Sequence, residues 1–146
     1  MKVIIAIDSF KGCLTSKQAN EAAAQALTSA APNAEVVTLP VSDGGEGFLQ
    51  AFHDAVGGVL MEVTVDDPMR RPIKAKYLLK GQRAVIEIAQ ASGLNLLKPE
   101  ERNPMIASSY GSGQLVADAI RNGAKYIIVG LGGSATSDAG QGCWML

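Results

Sequence analysis

Lys125-Tyr126-Ile127-Ile128-Val129-Gly130-Leu131-Gly132-Gly133-Ser134-Ala135-Thr136-Ser137-Asp138 is the stretch that decides the fold class of this chain. Lys125 to Val129 carries three β-branched residues in a row and reads as a strand buried in a sheet. The strand runs straight into a glycine-rich turn, and the chain then approaches a helix start at Cys143-Trp144. That order belongs to α/β sheets, whose ligands gather at the carboxyl ends of the strands. Glycines let backbone N–H groups approach an anion without a Cβ in the way, and a following helix N-terminus adds partial positive charge. Gly132, Gly133, Ser134, Ala135 and Thr136 are therefore candidate phosphate contacts, and Asp138 could hold a magnesium ion through water. A ligand-free strand-to-helix turn is the competing reading. The turn is no Walker A loop, because no Gly-Lys-Ser/Thr follows at the required spacing. Gly130, Gly132 and Ala135 fit a relaxed dinucleotide fingerprint, yet a domain of that kind normally opens with its turn.

Working back to the N-terminus, Val3 to Ile7 is another continuous apolar run, again suited to a strand buried on both faces. It closes on Asp8-Ser9-Phe10-Lys11-Gly12. Thr15 with Gln18 forms a potential capping box, and Ala19, Ala22, Ala23, Ala26, Leu27 and Ala30 repeat at helical spacing up to Pro32. Glu35 to Leu39 is a second strand, followed by Pro40-Val41-Ser42-Asp43-Gly44-Gly45-Glu46-Gly47. An amphipathic helix then carries Phe48, Leu49, Phe52, Ala55 and Val56 and stops at Gly57-Gly58. The Ser42–Gly47 loop could bind an anion at its N–H groups or a cation at its carboxylates. Alternatively Asp43 caps the helix with Glu46 at N3.

The pattern changes after Val59. Val59–Val65 and Ile73–Leu79 flank a proline-bounded charged tip and predict an antiparallel hairpin, and Ala84–Ala89 predicts a further strand. A helix is expected from Ser109 to Asn122, with Leu115, Val116, Ala119 and Ile120 inward and Gly123 at C′. The expected fold class is α/β: an open, doubly wound parallel-sheet lobe over residues 1–70, then the start of a second α/β lobe over 71–146. The short apolar end from Cys143 leads to the further expectation that the two-lobed enzyme is cut off at its C-terminus.

Composition narrows the partners. The formal net charge is −1 and charged residues make up 18% of the chain, with no basic block for duplex nucleic acid or an anionic membrane. Phosphate must be held locally, which points to small molecules. The two cysteines and single histidine suit no zinc site, so no metal-ligating set is assigned, and two reduced thiols suggest a cytoplasmic protein. Asp8 can serve as general base and Lys11 as a point charge on a phosphate or carboxylate, although both also suit a solvated loop. Arg70 and Arg71 fit a solvated turn, yet an arginine fork also suits a carboxylate, so Arg71 stays among the substrate candidates.

Taken together, Asp8-Ser9-Phe10-Lys11-Gly12, Pro40–Gly47, Ile86-Glu87-Ile88-Ala89-Gln90-Ala91-Ser92-Gly93-Leu94, Ser109-Tyr110-Gly111 and Gly132–Thr136 resemble the type I glycerate kinase family. The resemblance implies phosphorylation of D-glycerate by ATP with magnesium, in a cleft between two α/β lobes, and it is compatible with a homo-oligomer. It implies catalytic roles for Asp8, Lys11 and Asp43. It implies substrate contacts for Ser9, Ser42, Gly44 and Gly45, and phosphate contacts for Gly132–Thr136 and Asp138. The chain departs from the family pattern at Ser137 and Ala139, where asparagine and glycine are usual, and at Cys143-Trp144. A non-catalytic nucleotide- or anion-binding fragment and a piece of a dinucleotide oxidoreductase are the alternatives.

Overall fold

The computed structural model describes residues 1–145. It is a mixed α/β chain in two compact units, Met1–Asp43 and Gly44–Leu146.

In the first unit, β1 (Lys2–Ile5) pairs in parallel with β2 (Glu35–Thr38), and α1 (Ser16–Ala30) forms the crossover. The Thr15–Gln18 capping box is present: Gln18 N–H donates to Thr15 Oγ1 at 3.2 Å, and Thr15 N–H donates to Gln18 Oε1 at 2.9 Å. The parallel pairing follows the sequence pattern, but the double burial does not. Ile4 is 62% exposed and its register partner Val37 is 37% exposed. Ala22, Ala26 and Ala30 likewise face outward, while Ala19 and Asn20 are buried.

The second unit is built on a four-stranded sheet in the order β3 (Val59–Asp66), β4 (Pro72–Lys80), β5 (Arg83–Glu87), β6 (Tyr126–Gly130). The first three strands run antiparallel, from the expected hairpin, and β6 joins β5 in parallel. This mixed sheet is separate from the parallel pair of β1 and β2, so the chain is α/β with one parallel and one mixed sheet. Because side chains alternate along a strand, the sheet buries two sets of residues. On one face Ala75, Tyr77, Ala84 and Ile86 meet Leu115 and Ala119 of α4 (Tyr110–Arg121). On the other, Leu78 and Val85 meet Leu49, Phe48 and Phe52 of α2 (Phe48–Val56). Burying one such side chain stabilises by roughly 1.5–3 kcal/mol. The packing of α2 on β4 and β5 explains why the units divide between Asp43 and Gly44, earlier than the expected lobe boundary near residue 70.

Two details fix α4. Gln114 Oε1 accepts from Asp66 N–H at 2.6 Å. At Gly111 the helix lies so close to β3 that a Cβ would stand 1.8 Å from the Asp66 carbonyl oxygen. Gly123 follows the helix at C′ with φ +89°, as the sequence suggests. Beside α4 an apolar groove of ≈ 690 Å³ is lined by Val116, Ile120, Ile127, Val129, Leu131 and Trp144 among others. β6 is an edge strand of this sheet, so Ile128 and Val129 remain 41% and 40% exposed where the sequence suggests full burial.

Candidate functional site

In the first unit the chain leaves β1 and reaches Asp8 under tight control. Ile7 is held on both sides of its peptide: its N–H donates to Asn20 Oδ1 at 3.2 Å, and its carbonyl accepts from Asn20 Nδ2 at 2.8 Å and Ser16 Oγ at 2.6 Å. Asn20 is fully buried in α1. Ser16 Oγ also accepts from Val41 N–H at 3.0 Å, which ties the segment after β2 to the same helix start. Sequence reasoning passed over Ser16 and Asn20. The available signal was a polar pair at i and i+4 on the inward face of an alanine-rich helix. Beyond this clamp, Ser9 N–H donates to Asp8 Oδ1 at 2.6 Å, and Lys11 is exposed on a tight turn in which the Phe10 carbonyl accepts from Cys13 and Leu14. Ser42 and Asp43 also belong to this unit.

The second unit brings Gly44 and Gly45 against the glycine-rich turn. Gly132 N–H donates to the Gly44 carbonyl at 2.9 Å. A Cβ on Gly132 would lie 2.5 Å from Gly45 Cα, and one on Gly130 would lie 2.6 Å from the Gly44 oxygen and 2.5 Å from the Phe48 ring. These glycines therefore serve close contact between two backbones, a role that the fingerprint reading had assigned to ligand approach. Farther along the turn, Ala135 N–H donates to the Ser92 carbonyl at 2.8 Å, and Leu94 N–H donates to the Gly133 carbonyl at 2.9 Å. Ser134 Oγ accepts from Thr136 N–H at 3.0 Å and lies 2.8 Å from Thr136 Oγ1. The N–H groups of Gly132, Ala135 and Thr136 are thus engaged by the protein itself.

Asp138 is a tie between this turn and α4. Its Oδ2 accepts from Ser109 N–H and Oγ, both at 2.8 Å, and from Gly142 N–H at 3.2 Å, while Oδ1 accepts from Gly140 N–H at 3.2 Å. Burial raises its pKa, but the hydrogen bonds from Ser109, Gly140 and Gly142 outweigh burial and hold the carboxyl below its ordinary value. A folded-state pKa below the unfolded one gives stability that is present above the unfolded value, near 4, and lost as pH falls through the folded value. Asp138→Asn should lower stability at neutral pH by roughly 1–2 kcal/mol, after allowance for partial solvent screening. That deficit should shrink as pH falls through the folded-state value; thermal melts at a series of pH values from neutral into acid check it. Ala139 beside it has φ +51°, a left-handed conformation that favours glycine.

Glu87, at the carboxyl end of β5, is only 2% exposed. Its Oε2 accepts from Leu49 N–H at 2.9 Å, and Gly47 N–H and the Gln90 amide also bond to it. The expected Asp43–Glu46 cap is replaced by this arrangement. The helix starts later, with Gly47 as N-cap at φ +89° and no side-chain cap of its own, and a carboxylate from the sheet meets its amides instead. Burial pushes the Glu87 carboxyl above its ordinary value; the bonds from Leu49 and Gln90 pull against this, and the charge of Glu46 adds to it. Nothing in local sequence spacing could reveal a cap supplied from so far along the chain.

Arg71 immediately precedes β4. Its guanidinium meets Asp67 at 2.6 Å and Glu101 at 2.7 Å, so two carboxylates of the protein already fill its fork. Arg70 stacks on Tyr110 with 4.0 Å to the ring centroid. Among the described residues no cluster of three histidine, cysteine or acidic side chains could hold a metal ion, and Asp138 spends both oxygens on hydrogen bonds.

Comparison with known proteins follows from this geometry. The model of the glycerate kinase family matches residues 3–145. A glycerate kinase of Halalkalibacterium halodurans is 46% identical over 142 residues, covering 96% of this chain and 37% of that protein. A glycerate 2-kinase of Escherichia coli (strain K12) is 39% identical over 144 residues, covering 97% of this chain and 38% of that protein. A solved structure of a candidate glycerate kinase 2 from Salmonella typhimurium LT2 superposes with a TM-score of 0.81 at 39% identity, covering 98% of this chain and 39% of that one. The chain thus spans under two-fifths of the length of the curated relatives it matches.

Proposed function

We propose that this chain, which belongs to the glycerate kinase family, carries part of a site that transfers the γ-phosphoryl group of ATP to a hydroxyl of D-glycerate. The observation that carries the reading is the backbone-to-backbone lock between Gly44–Gly45 and Gly130–Gly132, at the carboxyl ends of the parallel strands β5 and β6. Ligands of α/β sheets collect at that end of the strands.

In the proposed mechanism the glycerate hydroxyl oxygen attacks the γ-phosphorus in line. The bond to the β–γ bridging oxygen breaks, ADP departs, and the hydroxyl proton passes to a carboxylate. Asp8 or Asp43 takes that proton. Lys11 and loop N–H groups balance the charge that builds on the transferring group, the usual protein contribution to phosphoryl transfer. Ser9, Ser42, Gly44 and Gly45 contact glycerate, and the turn from Gly132 to Thr136 faces the nucleotide phosphates. Magnesium would add positive charge at the nucleotide phosphates, and Asp138 is the residue that could hold it through water. The two free thiols, Cys13 and Cys143, support a cytoplasmic enzyme.

The test is ADP release on adding D-glycerate and ATP to the full-length protein, with Lys11→Ala alongside. Lys11 is exposed, so its replacement should leave the melting temperature within a few degrees. Turnover should fall by roughly two orders of magnitude, as for loss of one charge-stabilising donor. Wild-type turnover in Lys11→Ala would remove Lys11 from the site. ATP binding without glycerate-dependent ADP release would favour the non-catalytic nucleotide binder.

A further inference from the structure

We infer that Glu87 is a positioning residue for phosphoryl transfer, fixing the Gly44–Gly47 loop from beneath through a buried carboxylate at the start of α2. This rests on the kinase reading only for its catalytic consequence, since the tie itself is a matter of geometry. The carboxylate is 2% exposed and accepts from Leu49 N–H at 2.9 Å, with Gly47 N–H also bonded to it. These are amides of the helix's first turn, which have no partner within the helix. The N-cap Gly47 offers no side chain for them. An acidic group here is also favoured by the positive end of the helix.

The same carboxylate stands next to the other half of the lock. Glu87 pairs in register with Gly130, the last residue of β6. Gly130 continues to Gly132, whose N–H holds the Gly44 carbonyl. Phe48 N–H donates to the Gly45 carbonyl at 3.1 Å and closes the loop on its other side. The loop is therefore clamped from the β6 turn on one side and from β5, through Glu87, on the other. Its consequence for the site is specific. The helix start that would ordinarily attract a phosphate is already met by the protein's own carboxyl group, so Glu87 sets the conformation in which Gly44 and Gly45 are held against the β6 turn. Glu46 is the other charged group acting on this carboxylate, and Gln90 approaches from the turn after β5.

Three variants of the full-length protein test this: Glu87→Ala, Glu87→Gln and, as a control, Glu100→Ala on an exposed turn. Glu87→Gln keeps an oxygen for Leu49 N–H and is expected to stay within about threefold of wild type in the KM for glycerate. Glu87→Ala leaves two amides unpaired and should raise that KM at least tenfold in protein that still melts cooperatively, with rescue in the glutamine variant. Amide exchange at Gly47 and Leu49 gives a readout independent of activity. Both amides should be protected in wild type and exchange much faster in Glu87→Ala. If Glu87→Ala folds with wild-type KM and unchanged exchange at Gly47 and Leu49, the inference fails. A loss of melting temperature with KM unchanged overturns it too, by reducing Glu87 to a structural residue. If Glu87→Ala does not fold, Glu87→Met, which fills the space without an acceptor, decides in its place: faster exchange at Leu49 with a raised KM supports the clamp, and wild-type values for both refute it. Absence of glycerate phosphorylation in wild type would instead reject the kinase reading, with the exchange result still deciding the clamp.

Discussion

Alanine at position 111 is expected to abolish the cooperative melting of the Gly44–Leu146 unit. The added Cβ would sit 1.8 Å from the Asp66 carbonyl oxygen and 2.8 Å from its carbon. Both atoms are backbone in β3, so no side chain can swing away to make room. To restore ordinary contact α4 must withdraw by more than about 1 Å, and close-packed interiors resist such shifts. Its withdrawal would break the bond from Asp66 N–H to Gln114 and loosen the burial of Leu115 and Ala119, both wholly inaccessible to solvent. Ordinary overpacking costs about 1–3 kcal/mol, and this overlap exceeds the ordinary case. Against a typical stability of about 5–15 kcal/mol, the loss should leave little folded protein. Gly123→Ala is the matched control: its φ is +89° but nothing stands within 4 Å of the new Cβ. It should cost about 1 kcal/mol, the penalty of a left-handed alanine. A Gly111→Ala protein that melts within a few degrees of wild type would show that α4 does not press on β3 as described.

Gly132→Ala is expected to strike stability and activity together. Its Cβ would stand 2.5 Å from Gly45 Cα and 2.6 Å from Gly45 N, again backbone against backbone. The two loops must part, and the bond from Gly132 N–H to the Gly44 carbonyl is lost with them. A destabilisation of about 3 kcal/mol is the expected scale. The melting temperature should then fall by about 10 °C for a chain of this size. In whatever fraction stays folded, the proposed substrate and phosphate loops no longer share one geometry. A misplacement of about 1 Å can cost a hundredfold in rate, so glycerate-dependent turnover should fall at least that far. Gly47→Ala separates crowding from backbone conformation, because Gly47 has φ +89° and open space where a Cβ would go. It should lose about 1 kcal/mol and retain most of its turnover. Equal effects of the two substitutions would argue against the backbone lock.

The elements were largely legible because their signals are local. The Thr15–Gln18 capping box, the 59–79 hairpin and Gly123 at C′ each rest on residues a few positions apart. What remained hidden depends on residues distant in sequence. Apolar runs such as Val3–Ile7 and Tyr126–Val129 record a preference for burial. They do not record which neighbours supply it, so the exposure of Ile4 and Ile128 was invisible. The division between Asp43 and Gly44 was hidden for the same reason: α2 is bound to β4 and β5 through Leu49, Leu78 and Val85, a contact that no spacing along the chain announces.

The site divides in the same way. The glycine-rich turn and the Ser42–Gly47 loop stood out by composition, and the structure joins Gly44–Gly45 to Gly130–Gly132. Their glycines were read as room for an anion, whereas Gly130 and Gly132 make room for another backbone. Asp138, a candidate for a phosphate or a water-bound magnesium ion, also ties Ser109 to the turn, and Arg71, weighed between a solvated turn and a carboxylate fork, holds Asp67 and Glu101. An acid or a guanidinium in a sequence advertises its chemistry but not its partner. Asn20 and Glu87 show the converse: no role was read for either, although Glu87 lies in the Ile86–Leu94 segment, and each controls a loop through amides far from it in sequence.

The most direct test of the account is phosphorus NMR of the full-length protein incubated with ATP and D-glycerate. The account predicts a phosphomonoester resonance of phosphoglycerate that grows in step with ADP and is absent when glycerate is omitted. ADP accompanied only by inorganic phosphate, at a rate indifferent to glycerate, would contradict it.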